Sequence, residues 1–257
     1  MTAFAKKIES YLLNNAGRLF EKKYLFQIKK KGGLWKELNN YLSRSKFTGC
    51  SYSDYWAIYS FVRNKKPKEI LECGTGVSTV VMAYALVENE KEGFQGRITS
   101  MESVEKYYKM AQKLLPVHME SYADLIYSPV VEDYYSLFRG VRYRDIPINR
   151  DYDFVYVDGP SYVAPSDGTF AFDFDYLHIV KQSHNPVYAI IDKRVSTCYV
   201  FQKIFGLDKV RYNAFRHLGF AGPCSKKDIK HFDTTTPSSA FDKSFRVFGN
   251  SELHLKL

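Results

Sequence analysis

The segment Leu71-Glu72-Cys73-Gly74-Thr75-Gly76-Val77-Ser78-Thr79 closes an apolar run with an acid, two glycines and three hydroxyl residues. Glycine stands where a backbone must take positive φ or let another group come close, so a strand running into Gly74-Thr75-Gly76 points to a nucleotide-type ligand. No Gly-Lys-Ser/Thr follows, and a P-loop needs that lysine to neutralise phosphate charge. Thr79 stands where a dinucleotide turn places its third glycine, which weakens that reading without removing it. More acids close later apolar runs: Glu102 after Arg97 to Met101, Asp158 after Tyr152 to Val157, and Asp192 after Val187 to Ile191, with Asp133 shortly after a third run. A carboxylate such as Glu102 can accept hydrogen bonds from a diol with charge assistance. Asp158 and Asp192 stand at strand ends, where open α/β sheets place their ligands.

These residues need a frame, and the hydrophobic pattern supplies one. From about residue 51 helix-like and strand-like segments alternate, as expected of a parallel sheet with helices on its faces. Helices are expected at Tyr52 to Val62, Ser78 to Val87, Phe172 to Lys181 and Val195 to Phe205, the last stopped by Gly206. Ser103 is expected to cap a further helix running to Leu115, ahead of Pro116. Strands are expected at Glu69 to Cys73, Arg97 to Met101, Ala123 to Val130, Tyr152 to Val157 and Val187 to Ile191. Lys209 to Arg216 and Ser244 to Phe248 complete the set as two late strands without a helix between them. The fold class read from this order is α/β: seven strands, mostly parallel, with helices on both faces.

Residues 1–50 form a different region. They hold 11 of the 37 Lys and Arg but 3 of the 28 Asp and Glu, so most of the net charge of +9 lies in this arm. Phe4, Ile8, Tyr11, Leu12, Ala16, Leu19 and Phe20 recur at helical spacing, with Lys6, Lys7, Arg18, Lys22 and Lys23 mostly off that face. Lys29-Lys30-Lys31-Gly32-Gly33 interrupts the pattern before a second short helix over Leu34 to Leu42. Such a basic amphipathic helix can pack on the main domain, lie on an anionic membrane surface, or contact nucleic acid. Two regions are therefore expected, a basic helical extension over 1–50 and a main domain over 51–257. Cys50, Cys73, Cys198 and Cys224 form no CxxC pair, and the six histidines show no HxxxH or HExxH spacing, which argues against a disulfide framework and a structural zinc site. The opening MTAFAKKIESYLLNN lacks the unbroken apolar stretch of a signal peptide, and no run approaches the ~18 apolar residues of a membrane span. The expected setting is the reducing cytoplasm, with the arm able to make it peripheral to a membrane.

Glu72 at a strand end, Gly74 and Gly76 in the turn, Glu102 ending the second strand and Asp158 ending the fourth resemble the class I S-adenosylmethionine-dependent methyltransferases. The resemblance spans about residues 51–250 as strand order plus three short motifs. It implies a Rossmann-like fold and S-adenosylmethionine as cofactor, with the glycine turn beside its methionine part and Glu102 on its ribose hydroxyls. The site it implies comprises Glu72, Gly74, Thr75, Gly76, Ser78, Thr79, Glu102, Asp133 near the adenine, and Asp158. The methionine ammonium suits Glu72, and its carboxylate suits the helix N-terminus after Val77. A cofactor without phosphate also needs no lysine in the turn.

LECGTGVST together with YDFVYVDGP is most similar to the branch that modifies small molecules and sugars, whose members often carry DG-x-H-x-Y after strand four. Here the stretch is Asp158-Gly159-Pro160-Ser161-Tyr162, without the histidine. The reaction so implied is O-methylation of a small-molecule or carbohydrate hydroxyl. Asp158 would take the proton directly, or bind a divalent metal together with Asp192. Magnesium-dependent catechol-type relatives have Asp-Asn on strand five, where this chain has Asp192-Lys193. Tyr162, Lys193 and His217 are further candidates for orienting the acceptor. Phe170, Phe172 and Phe174 share one side of an extended segment and suit either stacking on a ring or burial in the core. Two other functions fit the same residues. One is a nucleic-acid methyltransferase gripping phosphates through the arm, with DGPSY faintly similar to Asp-Pro-Pro-Tyr; the other is a non-catalytic binding protein of this fold.

Overall fold

The computed structural model describes residues 3–45, 51–136 and 138–230, with residues 3–14 described as helix backbone. Helices α1 (Ala3–Lys30), α2 (Gly32–Arg44) and α3 (Tyr52–Lys65) precede the first strand, β1 (Glu69–Cys73). Then come α4 (Val77–Glu90), β2 (Arg97–Glu102), α5 (Glu105–Leu114), β3 (Ala123–Tyr127), β4 (Val130–Tyr135), β5 (Phe138–Tyr143) and β6 (Phe154–Val157). The described chain ends with β7 (Phe172–Asp173), α6 (Asp175–Gln182), β8 (Val187–Asp192), α7 (Val195–Phe205), β9 (Val210–Asn213) and β10 (Leu218–Cys224).

Seven of these strands form one sheet in the order β3-β2-β1-β6-β8-β10-β9. The five from β3 to β8 are parallel, and β10 runs antiparallel between β8 and β9. The period-two alternation of strand side chains divides the core. Ile70, Phe154, Tyr156 and Ile190 face the layer of α2, α3 and α4, while Leu71, Cys73, Val155, Val157 and Ile191 face that of α6 and α7. The chain leaves β1 toward β2 on one side and β6 toward β8 on the other, so the sheet changes winding direction between β1 and β6.

Two expectations are corrected and one lies outside the described residues. The expected strand Ser244 to Phe248 lies outside the described residues, and the antiparallel place beside β8 and β9 is taken by Leu218–Cys224. Gly219, Gly222 and Pro223 obscure that strand in the sequence, and Gly219 is there because a Cβ would collide with the Cys198 sulfur. A three-stranded second sheet, β4-β5-β7, is inserted; β4 takes Val130 from the end of the expected third strand, and β7 takes the start of the expected helix Phe172 to Lys181, which begins at Asp175. Its hairpin turns at Ser136, whose φ of 55° is left-handed. Finally, Ser103 does not cap α5: the N-cap position is Val104, without a side-chain cap.

The described part of the basic arm is built into the body. Leu34, Leu38 and Tyr41 of α2 are buried in the same cluster as Ile58 of α3 and Val81 of α4. Gly33 leaves room for the Tyr84 hydroxyl, which any Cβ there would strike. On α1 the amphipathic pattern holds only partly: Ala16 and Phe20 are half-buried, but Leu19 is 68% exposed. The arm is anchored by charge. Glu21 accepts the Tyr52 N–H at 2.9 Å and the Ser53 N–H at 3.1 Å, closing the first turn of α3. Ser51 and Asp54 complete the same terminus as a reciprocal capping box. Arg216 then donates to Ser53 Oγ and its carbonyl and lies over the Tyr24 ring. Among the described residues no helix is long and apolar enough to cross a membrane. Glu21→Ala removes the acceptor for two helix-start donors, so urea unfolding should show a loss of about 1 kcal/mol.

Candidate active site

Glu72 is fully buried, and its carboxylate accepts from Ser78 Oγ, Thr79 Oγ1 and Ser100 Oγ, each at 2.5 Å. Thr75 lies 2.7 Å from Ser100 Oγ, and because Ser100 spends its proton on Glu72, Thr75 is the donor. The Thr79 hydroxyl also accepts the Gly76 N–H at 3.1 Å. One carboxylate thus ties the end of β1 to the start of α4 and to β2. Burial pushes Glu72 up to about 7, against the pull of the three hydroxyls. Three of the expected site residues thus turn toward one another: Glu72 spends its carboxylate on hydroxyl donors. Ser78 and Thr79 are likewise turned inward onto Glu72 and shape the turn rather than face a ligand.

The glycines do different work. Gly74 has φ of 100°, and a Cβ there would lie 3.0 Å from the Gly159 nitrogen and 3.3 Å from the Asp158 carbonyl oxygen. It lets the first turn pack on the backbone leaving β6, at the point where the sheet changes direction. A Cβ on Gly76 would meet nothing within 4 Å, so open space lies in front of the start of α4.

Glu102 ends β2, nearly buried, and its Oε1 accepts the Ser103 and Val104 N–H groups at 2.8 Å each. The Thr75 N–H is directed at the same carboxylate, and burial outweighs these bonds to raise its pKa. Three donors occupy three of a carboxylate's roughly four lone-pair sites, so capacity remains for one further hydroxyl rather than two. Asp133 lies elsewhere than expected. It is on β4 of the second sheet, accepting from Arg142 Nε at 3.0 Å and the Tyr134 N–H at 2.8 Å. The pairing with Arg142 gives it a structural partner.

Asp158 and Asp192 do come together. Asp158 is half-buried just past β6, and its carboxyl is within hydrogen-bonding reach of Asp192 at the end of β8. Asp192 is 4% exposed, and its Oδ1 has no hydrogen-bond partner. Burial first, then the Asp158 charge, raises the Asp192 pKa. Buried Asp54, from the start of α3, is the third acid here. Burial and then Asp192 push it from 3.8 to about 7, while Ser51 and Lys193 pull it down. Lys193 Nζ lies 3.7 Å from Asp192 Oδ2. Lys193 and His217 both have left-handed backbone, with φ of 49° and 52°, and the Lys193 N–H donates to the His217 carbonyl at 2.8 Å.

Tyr162 stands at the rim, its ring 4.8 Å from Phe170 and 5.2 Å from the Arg194 guanidinium. Phe170 is exposed, but Phe172 and Phe174 are core residues, so burial accounts for two of the three phenylalanines. The sequence reading missed Asp54, Ser100 and the buried Arg194–Asp173 ion pair at 3.0 Å. Arg194 is charged beside Asp158 and Asp192, which raise its pKa after Asp173. Among the described residues no group of three His, Cys, Asp or Glu assembles as a metal site.

No protein-family model matches the chain, and no curated protein does. Among solved structures, it is similar to a putative class I S-adenosylmethionine-dependent methyltransferase from Listeria monocytogenes, 12% identical over 84% of this chain and 76% of that one, with a TM-score of 0.45. A putative protein-L-isoaspartate O-methyltransferase from Plasmodium falciparum, in complex with S-adenosyl-L-homocysteine, is 12% identical over 67% of this chain and 83% of that one, with a TM-score of 0.38. A plantazolicin methyltransferase in complex with the same compound is 13% identical over 97% and 79%, with a TM-score of 0.30. Likeness at this level carries no functional information.

Two outcomes test this geometry. A raised carboxyl pKa means the folded state holds its proton more tightly than the unfolded chain. The contribution of Asp54 should therefore favour folding at acid pH and be lost as pH rises from about 4 to about 7. Unfolding free energies measured across that window should fall in the parent, and the fall should be shallower in Asp54→Asn. Separately, Gly74→Ala combines left-handed backbone with a backbone collision and should cost about 1 to 3 kcal/mol in urea unfolding.

Proposed function

We propose that this protein is an S-adenosylmethionine-dependent methyltransferase acting on a hydroxyl of a small molecule or carbohydrate. The observation that carries the reading is the convergence of the Gly74–Gly76 turn, Glu102 and the Asp158–Asp192 pair on the carboxyl edge of the sheet, around the change of winding between β1 and β6. Open α/β sheets bind ligands at that place. The residues fit the cofactor in part. Space lies before Gly76 at the start of α4, and Glu102 keeps room for one hydroxyl. Glu72 fixes the turn from behind.

When bound, the cofactor supplies an electrophilic methyl group on a sulfonium. The chain's own part is to align the acceptor and to receive its proton. Two carboxyls within hydrogen-bonding reach hold a shared proton more tightly than a lone aspartate does. Asp158, the more accessible member, takes the hydroxyl proton, and Asp192 stabilises it there. Asp192, raised by burial and then by the Asp158 charge, is better matched to holding that proton than an ordinary carboxylate. Tyr162 and Lys193 flank the pair and orient the acceptor.

Calorimetry or thermal unfolding with S-adenosylmethionine, S-adenosylhomocysteine and NAD tests the reading. At a hundredfold excess over Kd either of the first two should stabilise the fold by about 2.7 kcal/mol. Glu102→Ala should abolish this effect; stabilisation by NAD alone would overturn the assignment. With a panel of hydroxylated acceptors, Asp158→Ala should reduce turnover by about 10²-fold or more while leaving S-adenosylhomocysteine binding intact.

A further inference from the structure

A second cavity, of about 720 Å³, lies between α1 and the corner joining β8 to β10, within the usual size of small-molecule sites. Arg18, Lys22, Lys193, Arg216 and His217 line it, against one acid, Glu21. Both Glu21 oxygens are occupied by the first turn of α3, and Arg216 is committed to Ser53. Arg18 and Lys22 are exposed and one helical turn apart, so they share a face of α1. That face is seated by Gly17, where a Cβ would be in ordinary contact with the Phe215 carbonyl, and by Phe20 against the Phe215 ring.

The cavity is joined to the carboxyl pair through Lys193, which lines it while its ammonium lies beside Asp192. Lys193 and His217, the two left-handed residues of this corner, both belong to the lining. Left-handed backbone at residues with side chains is strained and collects at ligand sites. An anion arriving here would be repelled by Asp158 and Asp192 and attracted by α1, which fixes its orientation.

We propose that this cavity is the anion-binding subsite of the acceptor. It takes a carboxylate or phosphoryl group of an anionic small molecule, with Arg18, Lys22 and Lys193 as its ligands, and so directs the hydroxyl end toward Asp158. This extension to the acceptor rests on the methyltransferase reading; anion binding by the cavity does not. A small molecule fits this bounded cavity of about 720 Å³ better than a nucleic acid does.

Calorimetric titration of the full chain with inorganic phosphate and, separately, with malonate tests the subsite and distinguishes a phosphoryl from a carboxylate ligand. The Arg18→Ala/Lys22→Ala double variant removes exposed side chains and should weaken the bound anion by about tenfold or more, with S-adenosylhomocysteine binding unchanged. Lys193→Gln should weaken the same anion independently. If neither anion binds the parent, or if both variants bind it unchanged, the proposal fails. Affinity seen only with oligonucleotides, growing with their length, would overturn it in favour of nucleic acid. Loss of anion binding in the variants of a protein that never binds S-adenosylhomocysteine would sustain the subsite and remove the methyltransferase reading instead.

Discussion

The buried Glu72 carboxylate is the constraint on which the rest of this site depends. A charge-capable group without solvent exposure is costly unless hydrogen bonds replace its water. Here Ser78, Thr79 and Ser100 supply that replacement from two elements. Because all three point at one residue, the start of α4, the end of β1 and the middle of β2 are held in one register. Thr75 extends the chain of hydroxyls outward, and the Gly76 N–H closes it on Thr79. The backbone in front of α4 is thereby fixed by polar contacts behind it, leaving its outer side open.

A second tier of charge surrounds this one. The Asp158–Asp192 pair lies at the ends of β6 and β8, beside the winding change, and Asp54 brings the start of α3 into the same field. α3 is in turn held by Glu21 of the arm and by Arg216 from the turn between β9 and β10. The carboxyl edge of the sheet is therefore assembled from segments distant in sequence, linked by ionic and capping contacts as well as by apolar packing. Arg194, buried with Asp173, adds a fixed positive charge beside the pair.

Much of the central sheet was legible in the sequence, because parallel central strands read as short apolar runs bounded by glycine and acids. The glycine turn, Glu102, Asp158 and Asp192 all fall at the strand ends where the pattern put them. What the pattern could not give was side-chain direction at those ends. Glu72 and Ser78 look equally suited to a ligand or to each other, and only packing decides. Asp133 lies in a hairpin formed by Val130–Tyr135 and Phe138–Tyr143, whose strands are short and only partly buried, so the hydrophobic pattern marks them weakly. The strand Leu218–Cys224, between β8 and the edge strand β9, is hidden in the sequence by Gly219, Gly222 and Pro223, of which Gly219 is required by packing against Cys198. Asp54 was invisible because its proximity to Asp192 is purely tertiary.

The hydroxyl cluster around Glu72 also bears on how such a chain can change over generations. Shortening the acid by one methylene would pull its oxygens from donors on α4 and β2 at once, and removing any single hydroxyl would leave a buried oxygen short of a proton. Residues coupled in this way do not contribute independently. Positions 72, 78, 79 and 100 should consequently drift as a set, so that in divergent descendants a replacement at one is found with a compensating replacement at another, while the open side of the turn varies on its own.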